Sequence, residues 1–325
     1  MQQRLRVLLW HVHGSWTTAF VQGRHEYVLP VTEDRGPDGR GRARTWDWPT
    51  SVLEMSPEHL GREAFDVVLL QRPHEIELAA QWLGRRPGVD VPAVFCEHNT
   101  PGGQAGVTRH PLADQPDIPI MHVTHFNRLF WDCGSARTAV IEHGIVDPGH
   151  RYTGERPHAA VVVNDPVRRG RVVGTDMIPQ IARAAPVDVF GMNVDSLPAM
   201  LALPEGRIAA HEDVSQQTLH DQLAQRSVYV HTPRWTSLGL SLLEAMLLGM
   251  PVVGLDTTES SRAVPADAGV LTNDPEELVR AVRRFVANPD AARIAGTAGR
   301  AAALARYGLG RFLADWDDVL ADAAA

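Results

Sequence analysis

One acidic residue lies in the middle of an otherwise apolar stretch of the chain. Residues 232–253 read TPRWTSLGLSLLEAMLLGMPVV, and Glu244 stands in the part that predicts a buried helix. An unpaired ionised group in a protein interior costs several kcal/mol. Glu244 is therefore expected to have a partner, which is either a residue of the protein, with Arg234 as the candidate, or a bound ligand.

A nucleotide would satisfy this acid. The segment SVYVHT predicts a strand, PRWTSLG a loop, and LSLLEAMLLG a helix that begins near Gly239. The backbone N–H groups of residues 237–241, which include Ser237 and Leu238, would face an anion at the helix N-terminus. The two hydroxyls of a ribose could both donate hydrogen bonds to the Glu244 carboxylate.

The cations available for a phosphate are all arginines, because the sequence contains no lysine. Arg168, Arg169 and Arg171 follow a predicted buried strand and precede a predicted helix. A planar guanidinium can bridge two phosphate oxygens. Such a run is also typical of a solvated surface, so phosphate binding and simple exposure are both open for these three residues.

Two residues of the N-terminal half follow predicted strands. His98 ends the apolar segment AVFCEH, and an imidazole at such a place can donate a hydrogen bond or interact with developing charge. Gly14 follows the first predicted strand, in HVHGSW. The alternatives are a structural histidine bonded to a neighbouring carbonyl group and an ordinary helix start at GSWTT.

Composition excludes several classes of function. The net charge of −8 provides no basic field for a polyanion, so nucleic acid is not an expected partner. Cys96 and Cys133 lack the spacing of a zinc site or a disulfide framework. The absence of G-x-G-x-x-G disfavours a dinucleotide-dependent oxidoreductase. No long apolar tract and no signal-like N-terminus occur, so we expect a cytoplasmic location and no transmembrane segment.

Short apolar runs alternate with longer amphipathic ones, which is typical of parallel sheets covered by helices. Two series of strands are predicted, and the Pro-, Gly- and charge-containing segment 146–158 indicates a linker between them. Segment 35–44, RGPDGRGRAR, predicts an exposed loop, and the Ala-rich tail from 290 predicts helix with a break at RYGLGR. Helices are predicted at about 75–86, 172–185, 215–225, 240–248 and 275–287.

The stretch TSLGLSLLEAMLLGMPVV resembles the donor-site signature of the retaining GT-B glycosyltransferases of family 4. In that signature two acids precede a Pro-started strand. Glu244 matches the second acid, which the resemblance implies holds the nucleotide ribose. Thr236 stands where the first acid occurs, so a contact to the hydroxyls of the donor sugar is missing.

Other segments extend the resemblance. VNDPVRRG stands where relatives have an Arg and a Lys that clamp the pyrophosphate, with Arg169 in the place of the Lys and Arg168 or Arg171 as the second cation. His98 matches a histidine beside the transferred sugar. Gly14 corresponds to part of a glycine-rich loop near the donor phosphate.

The resemblance implies an α/β protein of the GT-B class, with two Rossmann-like parallel-sheet domains facing across a cleft. Residues 1–148 would form the acceptor-side domain and 149–305 the nucleotide-sugar domain. The helix at 306–325 would cross back to the N-terminal domain.

The expected function is transfer of a sugar from a nucleoside diphosphate sugar to an unidentified hydroxyl acceptor, with retention of configuration. No cofactor is expected beyond the nucleotide sugar, and no metal, because arginines and helix dipoles can neutralise the leaving diphosphate. Two alternatives stay open: a non-catalytic nucleotide-binding or scaffold subunit of the same fold, and a sugar-nucleotide epimerase. Thr236 disfavours the epimerase, which would need several acids in the cleft.

Overall fold

The computed structural model describes residues 3–325 of the chain. The chain divides into two compact units. The first contains the residues up to Val146 together with Leu309–Ala325, and the second contains Asp147–Gly308. Each unit has its own parallel sheet, so the predicted α/β class is confirmed.

The sheet of the first unit has seven strands in the order β3-β2-β1-β4-β5-β6-β7, and all neighbours are parallel. The strands are β1 Arg6–Leu9, β2 Glu26–Pro30, β3 Val52–Met55, β4 Val67–Leu70, β5 Ala93–Glu97, β6 Ile120–His122 and β7 Thr138–Val140. The helices are α1 Gly14–Phe20, α2 Pro57–Leu60, α3 Glu75–Leu83, α4 His125–Phe130 and α13 Leu309–Ala324.

The sheet of the second unit has six parallel strands in the order β10-β9-β8-β11-β12-β13. The strands are β8 Arg156–Val162, β9 Val187–Gly191, β10 Ile208–Glu212, β11 Arg226–His231, β12 Val252–Gly254 and β13 Gly269–Leu271. The helices are α5 Pro166–Arg169, α6 Ile178–Ile181, α7 Leu197–Leu201, α8 Gln216–Leu223, α9 Leu240–Leu248, α10 Ser260–Ala263, α11 Pro275–Ala287 and α12 Pro289–Tyr307.

The central strands are buried because helices cover both faces of a parallel sheet. All four residues of β4 and all five of β5 are buried. In each sheet the strand order reverses at one point, between β1 and β4 in the first and between β8 and β11 in the second. Open α/β sheets bind ligands at the carboxyl ends of the strands beside such a switch point. Each unit therefore offers one such place.

Helix α9 owes its bounds to a glycine at each end. Gly239 precedes it in extended conformation, and Gly249 ends it at φ +89°, which a residue with a Cβ adopts only at a cost. Residues 242–248 are all buried. Helix α12 crosses so closely that a Cβ at Gly296 would collide with the Gly249 carbonyl group. The acid Glu244 is thus fixed in a tightly packed layer.

One helix prediction is wrong, and one loop prediction is confirmed only in part. No single helix covers 172–185, because Gly170 and Gly174 adopt positive φ values of 50° and 76° and divide the segment into 3₁₀ turns and the short α6. The segment 35–44 is more than a solvated loop. Arg42 donates to the carbonyl oxygens of Trp48 at 2.7 Å and Pro49 at 3.1 Å, and these bonds tie the segment to the body of the first unit.

The C-terminal helix α13 packs within the first unit. Phe312 and Trp316 are buried, and a Cβ at Gly144 would collide with the Phe312 ring. Asp317 accepts a hydrogen bond from His25 Nε2 at 3.0 Å. Within residues 3–325, no helix combines the length and apolar character needed to cross a bilayer.

Candidate functional site

In the second unit, the loops that follow β8 and β11 lie side by side at the switch point. Val172 O accepts hydrogen bonds from the backbone N–H groups of Arg234 at 2.8 Å and Trp235 at 3.2 Å. Thr232 Oγ1 donates to Val173 O at 2.7 Å. These bonds hold the arginine-rich loop against the loop that leads into α9, so both predicted donor-binding segments belong to one place.

The N-terminus of α9 provides backbone donors with no side chain to cap them. Gly239 is the N-cap residue, and the first turn contains no acid. The three preceding residues are half-buried Thr236 and the buried Ser237 and Leu238. The first turns of helices carry unsatisfied N–H groups and a partial positive charge, which suit an anion. The structure therefore places Thr236, Ser237, Leu238 and Gly239 where a diphosphate could be held.

The three arginines of the preceding loop differ in their partners. Arg168 binds Asp165 at 2.7 Å, and Arg171 binds Asp176 at 2.6 Å, with 73% and 75% of their side chains exposed. Arg169 is half-buried and makes no ion pair with any residue of 3–325. Burial, followed by the charge of Arg168, lowers its pKa. Arg169 is thus the member of the trio whose charge remains for a ligand, and Arg168 and Arg171 each hold a carboxylate already.

Glu244 has a protein partner that the sequence did not indicate. It is 2% exposed, and its Oε2 lies 3.5 Å from His220 Nε2 on α8. The predicted alternative partner, Arg234, instead grips Asp176 with two bonds of 2.6 and 3.0 Å, so that pairing is wrong. The sequence signal for this contact was the polar His220 in α8. Helix α8 precedes β11, and the parallel crossover places it beside α9, which follows β11.

In the first unit, His98 lies at the carboxyl end of β5, beside the switch point. Its Nε2 is 3.0 Å from Gln71 Oε1, and Gln71 Nε2 donates to Trp10 O at 2.7 Å. Trp10 and Gln71 follow β1 and β4, the two strands that flank the reversal. The sequence reasoning missed Gln71, although its position directly after a wholly buried strand marked it as a residue at this edge.

Aromatic rings surround His98. The His13 ring centroid is 4.2 Å away, and Trp16 meets His98 edge-on at 4.9 Å. Burial, followed by His13 and His143, holds the pKa of His98 well below its usual value. Burial also lowers the pKa of His13 to about 4 and that of His143 to about 3. These imidazoles are neutral at physiological pH, so His98 acts there as a neutral hydrogen-bonding group.

Gly14 begins α1, directly after His13. A Cβ at this position would lie 3.7 Å from Trp46 Nε1, an ordinary contact distance. The structure therefore brings Gly14 to the same edge of the first sheet as His98, but close packing does not require a glycine here.

The comparisons with known proteins agree with this architecture. Residues 169–288 match the family model described as Glycosyl transferases group 1, which confirms the resemblance of the second unit to that family. The solved structure of sucrose-phosphate synthase from Thermosynechococcus elongatus superposes with a TM-score of 0.73 at 13% identity, over 97% of this chain and 98% of that one. This protein has the GT-B fold.

Two further GT-B structures match over nearly their whole length. Anabaena HepE, solved in complex with UDP and glucose, gives a TM-score of 0.69 at 12% identity and covers 98% of this chain and 100% of its own. AviGT4, a glycosyltransferase involved in avilamycin A biosynthesis, gives 0.63 at 15% identity, with 98% of each chain covered. No curated protein sequence matches the chain.

Among residues 3–325 of this GT-B protein, no three His, Cys, Asp or Glu side chains are grouped so that they could hold a metal ion. An Asp-x-Asp pair does occur, at Asp315 and Asp317 of α13. Asp315 binds Arg311 at 2.6 Å and Asp317 binds Arg24 at 2.9 Å, so both have structural partners in the first unit.

Proposed function

We propose that this chain transfers a glycosyl group from a nucleoside diphosphate sugar to a hydroxyl acceptor, with retention of anomeric configuration and without a metal ion. One observation carries the proposal: Arg169 is half-buried and makes no ion pair within residues 3–325, and it stands at the switch point of the second sheet. Its loop is hydrogen-bonded to the loop that leads into α9, whose N-cap residue Gly239 has no side chain to cap the helix. Such a place suits a diphosphate. The matching family of glycosyl transferases and the UDP-bound HepE structure support it.

In this reaction the acceptor oxygen bonds to the anomeric carbon, and the bond from that carbon to the diphosphate oxygen breaks. The charge that develops on the leaving diphosphate is stabilised by the Arg169 guanidinium and by the backbone N–H groups at the start of α9. Retention follows if the leaving diphosphate itself receives the proton of the attacking hydroxyl on the same face. Glu244 binds the ribose, and the sugar contact that Thr236 lacks leaves sugar selectivity to other groups.

The direct test is turnover of a panel of nucleotide sugars without acceptor, because slow hydrolysis identifies base and sugar together. Product configuration, read by NMR of the anomeric proton, then tests retention. Activity that is unchanged by a chelator is expected, since arginine and amide groups carry the charge. A chain that gives no heat of binding with any nucleoside diphosphate in calorimetry is a scaffold subunit, and the proposal is then wrong.

Replacing Arg169 with alanine is expected to weaken nucleoside diphosphate binding by roughly 1.5–3 kcal/mol, the usual size for a lost hydrogen bond to a charged group. Nucleoside binding should barely change, because the guanidinium faces the phosphates. Titration calorimetry with a nucleoside and its diphosphate measures both. Arg168→Ala is the matched control, since Arg168 is exposed and bound to Asp165. Equal losses for nucleoside and diphosphate would place the clamp elsewhere.

Replacing Glu244 with glutamine is expected to weaken nucleotide binding by roughly 1.5–3 kcal/mol, because a neutral amide accepts the ribose hydroxyls less strongly than a carboxylate. The 3.5 Å approach to His220 provides the control. His220→Gln removes the other member of the Glu244–His220 pair. It should change the stability of the protein without changing its affinity for the nucleotide. If neither variant alters affinity and both lose the same stability, Glu244 serves α8–α9 packing and not the nucleotide.

A further inference from the structure

Gln71 and His98 form a hydrogen-bonded chain whose donors and acceptors can be assigned. Gln71 is 1% exposed, and its Nε2 lies 2.7 Å from Trp10 O. A backbone carbonyl oxygen only accepts hydrogen bonds, so the amide nitrogen of Gln71 must face Trp10. The amide oxygen then faces His98, where Oε1 is 3.0 Å from Nε2.

The acceptor at Gln71 determines the tautomer of His98. An amide oxygen cannot donate, so His98 Nε2 must carry a proton to make this bond. In a neutral imidazole only one nitrogen is protonated, which leaves Nδ1 with its lone pair. Nδ1 makes no hydrogen bond with any residue of the described part of the chain, 3–325. It therefore remains for a ligand.

The backbone around Gln71 is itself held in place. Glu75, at the start of α3, is wholly buried, and its Oε2 accepts hydrogen bonds from the N–H groups of Gln71 at 2.6 Å and Arg72 at 3.1 Å. Glu75 Oε1 also accepts from Arg72 Nε at 2.6 Å. The turn after β4 is thus fixed, and this orients the Gln71 side chain towards β1 and β5.

We propose that Gln71 is a positioning residue that fixes His98 as the Nε2–H tautomer, so that His98 Nδ1 accepts a hydrogen bond from a hydroxyl of the transferred sugar. The identity of the hydroxyl rests on the proposed function, whereas the tautomer does not. This reverses the role expected from the sequence, in which the imidazole donates. Because the ring is buried against the neutral His13 and Trp16, it stays an acceptor over the working pH range.

The first experiment reads the tautomer without any activity. In the full-length protein labelled with ¹⁵N, two-bond ¹H–¹⁵N spectra of the histidine rings should show His98 with a protonated Nε2 and an unprotonated Nδ1. Assignment uses His98→Asn, which removes the signal. A wild-type spectrum with a protonated Nδ1 overturns the inference, and it does so whether or not the protein transfers sugar.

The second experiment changes the acceptor on His98. Gln71→Leu removes it, so we expect a mixture of tautomers and a kcat about 10-fold lower with unchanged KM for the nucleotide sugar, the size of one lost hydrogen bond. Gln71→Glu keeps an acceptor towards His98 and, with its buried carboxyl protonated, a donor towards Trp10 O, so the tautomer and most of kcat should be retained. A carboxyl that is neutral in this buried place should leave the acid limb of the kcat profile at the wild-type pH. The ionisable groups that face the His98 ring and affect the pH profile of kcat are His13 and His143. The charges of Arg72 and Arg40 in turn lower the pKa of His13.

Gln22→Leu is the matched control for both variants. Gln22 also donates from its side chain to a backbone carbonyl, that of Thr18 at 3.2 Å, but has no bond to a histidine. It should leave the tautomer, kcat and the pH profile unchanged. A Gln71→Leu protein with the wild-type tautomer and kcat would overturn the positioning role. If the spectra show the proposed tautomer and no nucleotide sugar is turned over, the proposed function fails and the tautomer assignment stands.

Discussion

Replacing His98 with alanine is expected to lower kcat by about 100-fold or more, the usual effect of removing a positioned hydrogen-bonding or proton-transfer group. Nucleoside diphosphate affinity should stay unchanged, because Arg169 and Glu244 belong to the second unit and His98 to the first. A group that contacts the transferred sugar acts on turnover and not on nucleotide binding. Steady-state kinetics and calorimetry on the same preparation measure the two effects.

Two substitutions separate the ring nitrogens of His98. Asparagine keeps a polar atom near the place of Nδ1, and glutamine keeps one near the place of Nε2. If Nδ1 contacts the sugar, His98→Asn should retain more of kcat than His98→Gln. His110→Gln is the structural control, because His110 is buried in the same unit and pairs with Glu97 at 3.0 Å. It should lower the thermal midpoint without a selective loss of kcat.

Each possible result for the His98→Ala variant assigns a different role to His98. A variant with nearly normal kcat makes His98 a structural residue, and one that binds nucleotide poorly places it at the wrong end of the donor. The thermal midpoint must be measured alongside, because the ring packs against Trp16 and its loss leaves a cavity. His98→Asn fills part of that cavity and keeps the test informative if the alanine variant is unstable.

The sequence predicted elements best where local signals marked both ends. The helix bounds 240–248 and 275–287 agree with α9 and α11, since Gly239 and Gly249 flank the first and Asp274 caps the second through a bond to Glu276 N at 2.9 Å. Strands β2, β3 and β10 were missed. In β3 Leu53 and Glu54 are exposed, and no residue of β10 is fully buried, so these two lack the continuous buried run of the central strands. Strand β2 does have a buried apolar run from Tyr27 to Pro30, which the sequence prediction did not include.

The position of the candidate site could be predicted from the sequence, but the side-chain pairs within it could not. Switch-point loops follow apolar strands, so Arg169 and His98 could be singled out by position. Which of three neighbouring arginines lacks a carboxylate depends on Asp176, which a chain reversal at Gly174 brings to Arg171. The pairs Gln71–His98 and His220–Glu244 join different elements, and no local pattern encodes such contacts.

Acidification is expected to unfold the first unit before the second. Burial lowers the pKa of six histidines in the first unit but, among the described residues, of only one in the second. Those of the first unit are His11, His13, His25, His98, His122 and His143, and that of the second is His231. A histidine kept neutral by the fold takes up its proton only on unfolding. The stability it contributes is therefore complete above the unfolded pKa near 6.5 and is lost as pH falls towards the folded pKa.

Three histidines with strongly lowered pKa values give the size of the stability loss on acidification. For His13, with a folded pKa of about 4, and for His122 and His143, with about 3, each pH unit below 6.5 removes about 1.4 kcal/mol per residue. Between pH 6.5 and 5 the sum reaches several kcal/mol, which is comparable to the whole stability of a domain. Glu75 opposes the loss, because burial raises its pKa and favours its protonated form in the fold.

Two probes distinguish the units during acid unfolding. Seven of the eight tryptophans lie in the first unit and only Trp235 in the second, so tryptophan fluorescence follows the first unit. Hydrogen exchange read by mass spectrometry follows each unit separately. His143→Phe removes one buried imidazole and should flatten the pH dependence of the first unit by about 1.4 kcal/mol per pH unit. His231→Phe, in the second unit, should leave that dependence unchanged. Loss of protection in both units over the same pH range, or in the second unit first, would show that these buried histidines do not determine acid stability.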